Sequence, residues 1–160
     1  MNKAYLLTGG NMGAREKNLG TAKQLIGEQC GKINRSSSLY ETAAWGNTHQ
    51  PSFLNQALII ETKMNAQLLL QHLLQIEKMM GRVREEKYGP RLIDIDILLF
   101  NEEIYDLPFL KIPHPELQNR RFALMPLAEI AGHIIHPVYK KSMTRLLDEC
   151  NDQLAVKKYT

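Results

Sequence analysis

Residues Gly81 to Phe100 read GRVREEKYGPRLIDIDILLF. The second half alternates. Ile93, Ile95, Ile97 and Leu99 fall on one parity and Asp94 and Asp96 on the other, the period-two pattern of a strand with one apolar face. Two aspartates two residues apart on a strand point the same way, with Cα atoms roughly 6.6 Å apart. Like charges so close repel unless a cation sits between them. Mg²⁺ takes carboxylate oxygens, typically one or two carboxylates plus substrate phosphates. Just upstream lie Arg82, Arg84, Lys87 and Arg91, the positive charge a polyphosphate needs. The stretch therefore reads as a site for a nucleoside triphosphate with Mg²⁺. A solvated charged face is the plainer reading of an Asp-x-Asp alone, and the basic run beside the pair is what favours the metal.

Working outward, the chain has 160 residues, enough for one domain over residues 1–160 with a sizeable core. Apolar residues make up 44% and charged residues 23%, ordinary for a soluble globular protein. A net charge of +3 does not mark a dedicated nucleic-acid binder. Cys30 and Cys150 form neither a disulfide framework nor a zinc spacing, and read as buried or half-buried thiols. The N-terminal MNKAYLLTGGNMG has an apolar run shorter than a secretory signal requires. No stretch approaches the ~20 apolar residues of a membrane span. The expectation is a monomeric cytoplasmic enzyme or binding protein with no membrane or nucleic-acid partner.

Ala4 to Thr8 reads as a buried strand broken by Gly9, Gly10, Asn11 and Gly13. That glycine turn matches neither phosphate-binding glycine fingerprint. A helix from about residue 15 carries Leu19, Ala22 and Ile26 on one face and stops near Gly31. Residues 32–41 read as a strand. Residues 42–51 form a long loop with the lone tryptophan, Trp45, which either stacks on a planar ligand or folds back on the core. Phe53 to Thr62 is the next strand, and Asn55 in its apolar run needs partners for both ends of its amide if buried. Either a heterocycle or the backbone would supply them.

Asn65 caps a helix whose stripe is Leu69, Leu73, Ile76 and Met80, with Gly81 just past its end. Glu77 falls one position off the stripe and reads as solvated. Residues 82–91 are a basic loop of the kind that closes over a substrate. After the aspartate strand come a turn at Asn101-Glu102, a short strand over 103–105, and rigid Pro113-His114-Pro115. A helix carrying Leu124, Leu127 and Ile130 follows, with Pro126 in an early turn or at a kink. Ser142 caps a last helix, and residues 154–159 form a final edge strand. The order is β-α-β-β-α-β with a helical C-terminal extension. That predicts an α+β, ferredoxin-like core with a mainly antiparallel sheet and helices packed on it.

LLTGGNMGAREKNL, the stretch from Tyr40 to Asn55, GRVR, YGPRLIDIDILLF, IPHPELQNRRF and MPLAEIAG, in this order, resemble the 6-hydroxymethyl-7,8-dihydropterin pyrophosphokinases of folate biosynthesis over essentially the whole chain. The resemblance implies transfer of the β,γ-pyrophosphoryl group of ATP to the pterin hydroxymethyl oxygen, with release of AMP and use of two Mg²⁺ ions. By resemblance, Asp94 and Asp96 hold the metal, and Arg82 and Arg91 act with them on the triphosphate. Glu77, Arg84, Lys87, Ile97, Lys111, His114 and Arg120 fall at nucleotide-binding positions. Pterin recognition falls on Thr42, Ala43, Ala44, Trp45, Phe53, Asn55 and Phe122, with Asn55 bonding the pterin edge and Trp45 and Phe122 flanking the ring.

The chain departs from the family pattern in several places. Gly10 stands where a serine is usual, Ala43-Ala44 where Pro-Pro is common, Tyr88 for a tryptophan, and Leu74 for a nucleotide-contacting glutamine. The basic loop is one residue shorter than in some relatives. Two readings of other classes stand beside the enzyme: a polyphosphate-binding module without turnover, and a small RNA-binding domain on the same fold. The intact aspartate pair argues against the first; against the second stand the absence of an aromatic-rich RNP signature and two carboxylates on a central strand, which repel nucleic-acid phosphate.

Overall fold

The computed structural model describes residues 1–43, 49–81 and 92–159. Of the residues singled out above, Ala44, Trp45, Arg82, Arg84, Lys87, Tyr88 and Arg91 lie outside the described residues. The sheet is built on three long strands: β1 (Asn2–Gly10), β4 (Phe53–Thr62) and β5 (Asp94–Phe100). Helix α1 (Arg15–Gln29) follows β1, and α2 (Ala66–Met79) joins β4 to β5. The expected strand over 32–41 is two pieces, β2 (Lys32–Ser36) and β3 (Tyr40–Thr42), both paired with β4. Between them Ser37 turns inward, and its Oγ accepts the Ala57 N–H at 2.9 Å. A short strand β8 (Val156–Lys158) completes the order β5-β1-β4-β3-β8, with every pairing antiparallel. This is the ferredoxin-like order, with α1 and α2 on one face.

Residue parity sorts the core into two layers. Ala4 and Leu6 of β1 and Leu54, Leu58 and Ile60 of β4 pack against Leu19 and Ile26 of α1 and Leu69, Leu73 and Ile76 of α2. Tyr5, Leu7, Ala57 and Ile59 pack on the other face, against α3 (Arg121–Ala131) and α4 (Met143–Asp148). The caps read from sequence are in place. Asn65 Oδ1 accepts the Leu68 N–H at 2.8 Å, Ser142 Oγ accepts the Arg145 N–H at 3.1 Å, and Gly81 adopts φ +85°.

Four expectations are corrected. Gly9 and Gly10 do not break β1 but pair inside it, opposite Asn55 and Leu54. The alternation of β5 does not reach Leu99: a bulge gives Tyr5↔Leu99 next to Leu6↔Ile97, so Leu98 is the extra residue. Leu99 thereby joins Leu98 in the α3 layer, while Ile93, Ile95 and Ile97 face α2. The short strand after β5 is a hairpin, β6 (Tyr105–Leu107) with β7 (Leu110–Ile112). Pro126 sits in the buried interior of α3, not in its first turn. Both cysteines are free and buried.

Candidate active site

The C-terminal end of β1 and the N-terminal ends of β4 and β5 lie at one end of the sheet. Their register aligns Asn55, Gly9 and Asp94 in one row, and Ala57, Leu7 and Asp96 in the next. Directly paired residues point to the same face. Asp94, Asp96 and Asn55 therefore share the face covered by α3. Phe53 and Thr42, paired through β3 and β4, continue the same face. Both aspartates are half-buried, and Asn55 is 4% exposed.

The outer edge of β5 is pinned on either side of Asp96. The Ile95 N–H donates to Glu77 Oε2 at 2.7 Å, and the His114 N–H donates to Leu98 O at 3.0 Å. Glu77 is 3% exposed, which overturns the solvated reading. Its one-position offset from the α2 stripe aims it at the backbone between the two aspartates, so it acts on the site through β5. Ile97, placed among nucleotide-binding positions, buries its side chain in the α2 layer; any nucleotide contact from it comes from its backbone.

His114 lies within electrostatic reach of Asp96. Burial pushes its imidazole below the usual histidine range and Arg120 adds to this, while the charges of Asp96 and Glu116 oppose it. Its Nδ1 accepts the Glu116 N–H at 3.1 Å, which leaves the Nε2 side for other partners. Arg120 and Arg121 divide their roles. Arg121 spends its guanidinium on the Asp152 and Cys150 carbonyls at 3.2 and 3.1 Å, and its N–H meets the Asp152 carboxylate at the start of α3. Arg120 lies over the Phe122 ring, 5.7 Å from its centroid, and its buried Nε has no hydrogen-bond partner among the described residues. A buried, unmatched guanidinium N–H is costly unless an acceptor arrives.

Other predicted residues are already engaged. The Thr42 hydroxyl donates to Ala155 O at 2.9 Å, and Lys111 pairs with Asp106 across the β6–β7 hairpin at 2.6 Å. Ala43 is exposed at the end of β3. Sequence reasoning missed how the stem of the 42–51 segment is held. Asn11 Nδ2 donates to Gln50 Oε1 and Pro51 O, both at 3.0 Å. Arg15 Nη1 donates to Glu41 Oε2 at 2.8 Å and to Ser52 O at 2.9 Å. Asn11 directly after two glycines was the available signal, since a polar residue at a strand end can tie down a neighbouring segment.

Among the described residues no group of three or more His, Cys, Asp or Glu side chains could hold a metal ion. The aspartate pair could hold one: two hard oxygen ligands on one strand face suit Mg²⁺, which draws its remaining ligands from phosphate and water.

Comparison with known proteins bears on the family and the fold. The family model for 7,8-dihydro-6-hydroxymethylpterin-pyrophosphokinase (HPPK) matches residues 5–132. A 2-amino-4-hydroxy-6-hydroxymethyldihydropteridine pyrophosphokinase of Aquifex aeolicus is 40% identical over 149 residues, covering 93% of this chain and 92% of its own. That of Bacillus subtilis is 42% identical over 134 residues, covering 83% and 80%. A folic acid synthesis protein of Schizosaccharomyces pombe is 37% identical over 94% of this chain, which spans 21% of that longer protein. Among solved structures, an HPPK-DHPS in complex with substrates superposes with a TM-score of 0.75, and wild-type Plasmodium falciparum HPPK-DHPS with pteroate with 0.77. Each is 18% identical and covers 92% of this chain, which spans 43% and 42% of those chains; that likeness bears on the fold. With the family model matched across most of its length and two relatives near 40% identity, the chain belongs to the HPPK family.

Proposed function

We propose that this chain, as one domain over residues 1–160, transfers the pyrophosphoryl group of ATP to the hydroxymethyl group of 6-hydroxymethyl-7,8-dihydropterin in folate biosynthesis. The products are AMP and the pterin diphosphate. The observation that carries the reading is the alignment of Asn55 with Asp94 across Gly9, with His114 under the charges of both Asp96 and Arg120. One row holds an amide suited to a heterocycle and a carboxylate suited to Mg²⁺.

The hydroxymethyl oxygen attacks the β-phosphorus, and the bond from that phosphorus to the oxygen bridging it to the α-phosphorus breaks. AMP leaves and the hydroxyl proton is lost. Such transfers depend chiefly on positioning and on offsetting charge. Asp94 and Asp96 would hold two Mg²⁺ ions, which when bound neutralise charge on the phosphate oxygens. Arg120 offers its unmatched Nε to a phosphate oxygen, and His114 faces the same anion. Arg82, Arg84, Lys87 and Arg91 supply further positive charge, and Lys111 lies at a more distant nucleotide position. Asn55 bonds the pterin edge and Phe122 flanks the ring, with Phe53, Thr42 and Ala43 on the same side; Ala44 and Trp45 fall at pterin-binding positions of the family. No helix among the described residues is long and apolar enough to cross a membrane. We place the chain in the cytoplasm as a monomer.

Asp96→Ala tests the metal assignment. It should abolish turnover while leaving the pterin dissociation constant within about threefold of wild type. Near-normal turnover in this variant would contradict it.

A further inference from the structure

Gly9 is extended strand, with neither a left-handed φ nor a turn to explain it. Its backbone needs no glycine; its surroundings do. A Cβ built there would overlap the Asn55 Oδ1 and come within 3.2 Å of Asn55 Cγ and 3.3 Å of Leu54 O. The Asn55 carboxamide thus lies flat across β1 in the space a side chain at position 9 would fill. No hydrogen bond from a described residue engages that carboxamide, although the residue is 4% exposed. An amide on a nearly buried residue that no described residue hydrogen-bonds is poised for a ligand that offers a donor and an acceptor. Its Cα and that of Asp94 flank Gly9 directly, about 10 Å apart across two antiparallel spacings.

We infer that Gly9 is a positioning residue for pterin binding: the missing side chain lets the Asn55 carboxamide lie over β1, in line with Asp94. The inference rests on the pterin reading of Asn55 and adds to it. Position 9 sets where the amide sits relative to the metal-binding aspartate, and so how the heterocycle is presented to the phosphates. The overlap is with the free end of a flexible side chain. Gly9→Ala should therefore displace the amide without unfolding β1.

The test is a double-mutant cycle on the full chain: wild type, Gly9→Ala, Asn55→Ala and the pair. Pterin binding is titrated with 6-hydroxymethyl-7,8-dihydropterin in the presence of Mg²⁺ and α,β-methylene-ATP. Melting temperature and affinity for the nucleotide analogue are read alongside. Gly9→Ala and Asn55→Ala should each weaken pterin binding at least tenfold, about 1.4 kcal/mol. The pair should be no weaker than Asn55→Ala alone, since the alanine at 55 removes the atom that clashes. Nucleotide affinity should stay within twofold throughout.

If Asn55→Ala leaves pterin binding unchanged, the reading of Asn55 falls, and this inference with it. If Asn55→Ala weakens binding but Gly9→Ala does not, or if the two losses simply multiply, the inference alone is overturned. If Gly9→Ala fails to fold, the pair decides. Folding of the pair with the melting temperature of Asn55→Ala places the clash at the amide, as inferred. An unfolded pair places it at the Leu54 carbonyl and overturns the inference.

Discussion

Replacing Glu77 by methionine removes the carboxylate that accepts the Ile95 N–H and nearly conserves its volume. The bond is 2.7 Å long and its acceptor 3% exposed, so water cannot take the place of the lost oxygen. A hydrogen bond to a charged group contributes about 1.5–3 kcal/mol, and an orphaned buried N–H costs a similar amount. For a chain of this size each kcal/mol shifts the melting temperature by about 2–4 °C. Glu77→Met should therefore melt about 3–12 °C below wild type. Glu77→Gln keeps a neutral acceptor and should recover roughly half of the loss. Because Ile95 lies between Asp94 and Asp96, freeing its N–H loosens both carboxylates, and kcat should fall in Glu77→Met more than in Glu77→Gln. Thermal melts followed by circular dichroism, with steady-state kinetics on the same preparations, read both effects. A methionine variant that melts within 1 °C of wild type and keeps its kcat would refute the reasoning.

The two neighbouring arginines should separate cleanly. Arg120→Ala should lower kcat/KM for ATP at least tenfold with little change in melting temperature, whereas Arg121→Ala should lower the melting temperature and spare the kinetics, because its guanidinium is spent on the Asp152 and Cys150 carbonyls. The Glu41 carboxyl is held below the usual glutamate value of 4.5 by its bond from Arg15 and then by Ser52. Its folded form favours the carboxylate, so its contribution to stability is complete above about pH 4.5 and is lost as pH falls through the depressed value. The gap in melting temperature between wild type and Glu41→Gln should be constant from pH 7 to 5 and shrink below pH 4.5; a gap that widens with acid would contradict the sign.

What could be read from the sequence was whatever local chemistry decides. Strand β4 was legible to the residue because an apolar run there is bounded by loop residues at both ends. The helix starts at Asn65 and Ser142 were legible because a cap is a contact within four residues. The aspartate face of β5 followed from alternation alone. Relations between distant segments were not legible. Glu77 looked solvated because its partner is a backbone N–H 18 residues away. The bulge at Leu98 is set by register against β1, and nothing in the alternation of β5 itself reports it. The β6–β7 hairpin was reduced to one strand because its three-residue arms carry too little pattern. Gly9 and Gly10 read as a break because glycine usually punctuates; here the glycine at position 9 makes room for a side chain on the neighbouring strand.

Whether this site moves a pyrophosphoryl group is read most directly by separating the nucleotides after incubating the protein with ATP, Mg²⁺ and 6-hydroxymethyl-7,8-dihydropterin. AMP should form in amounts equal to the pterin diphosphate, only when the pterin is present and not with Asp96→Ala. ADP as the product, or folded protein that binds ATP and yields no pterin-dependent AMP, would contradict it.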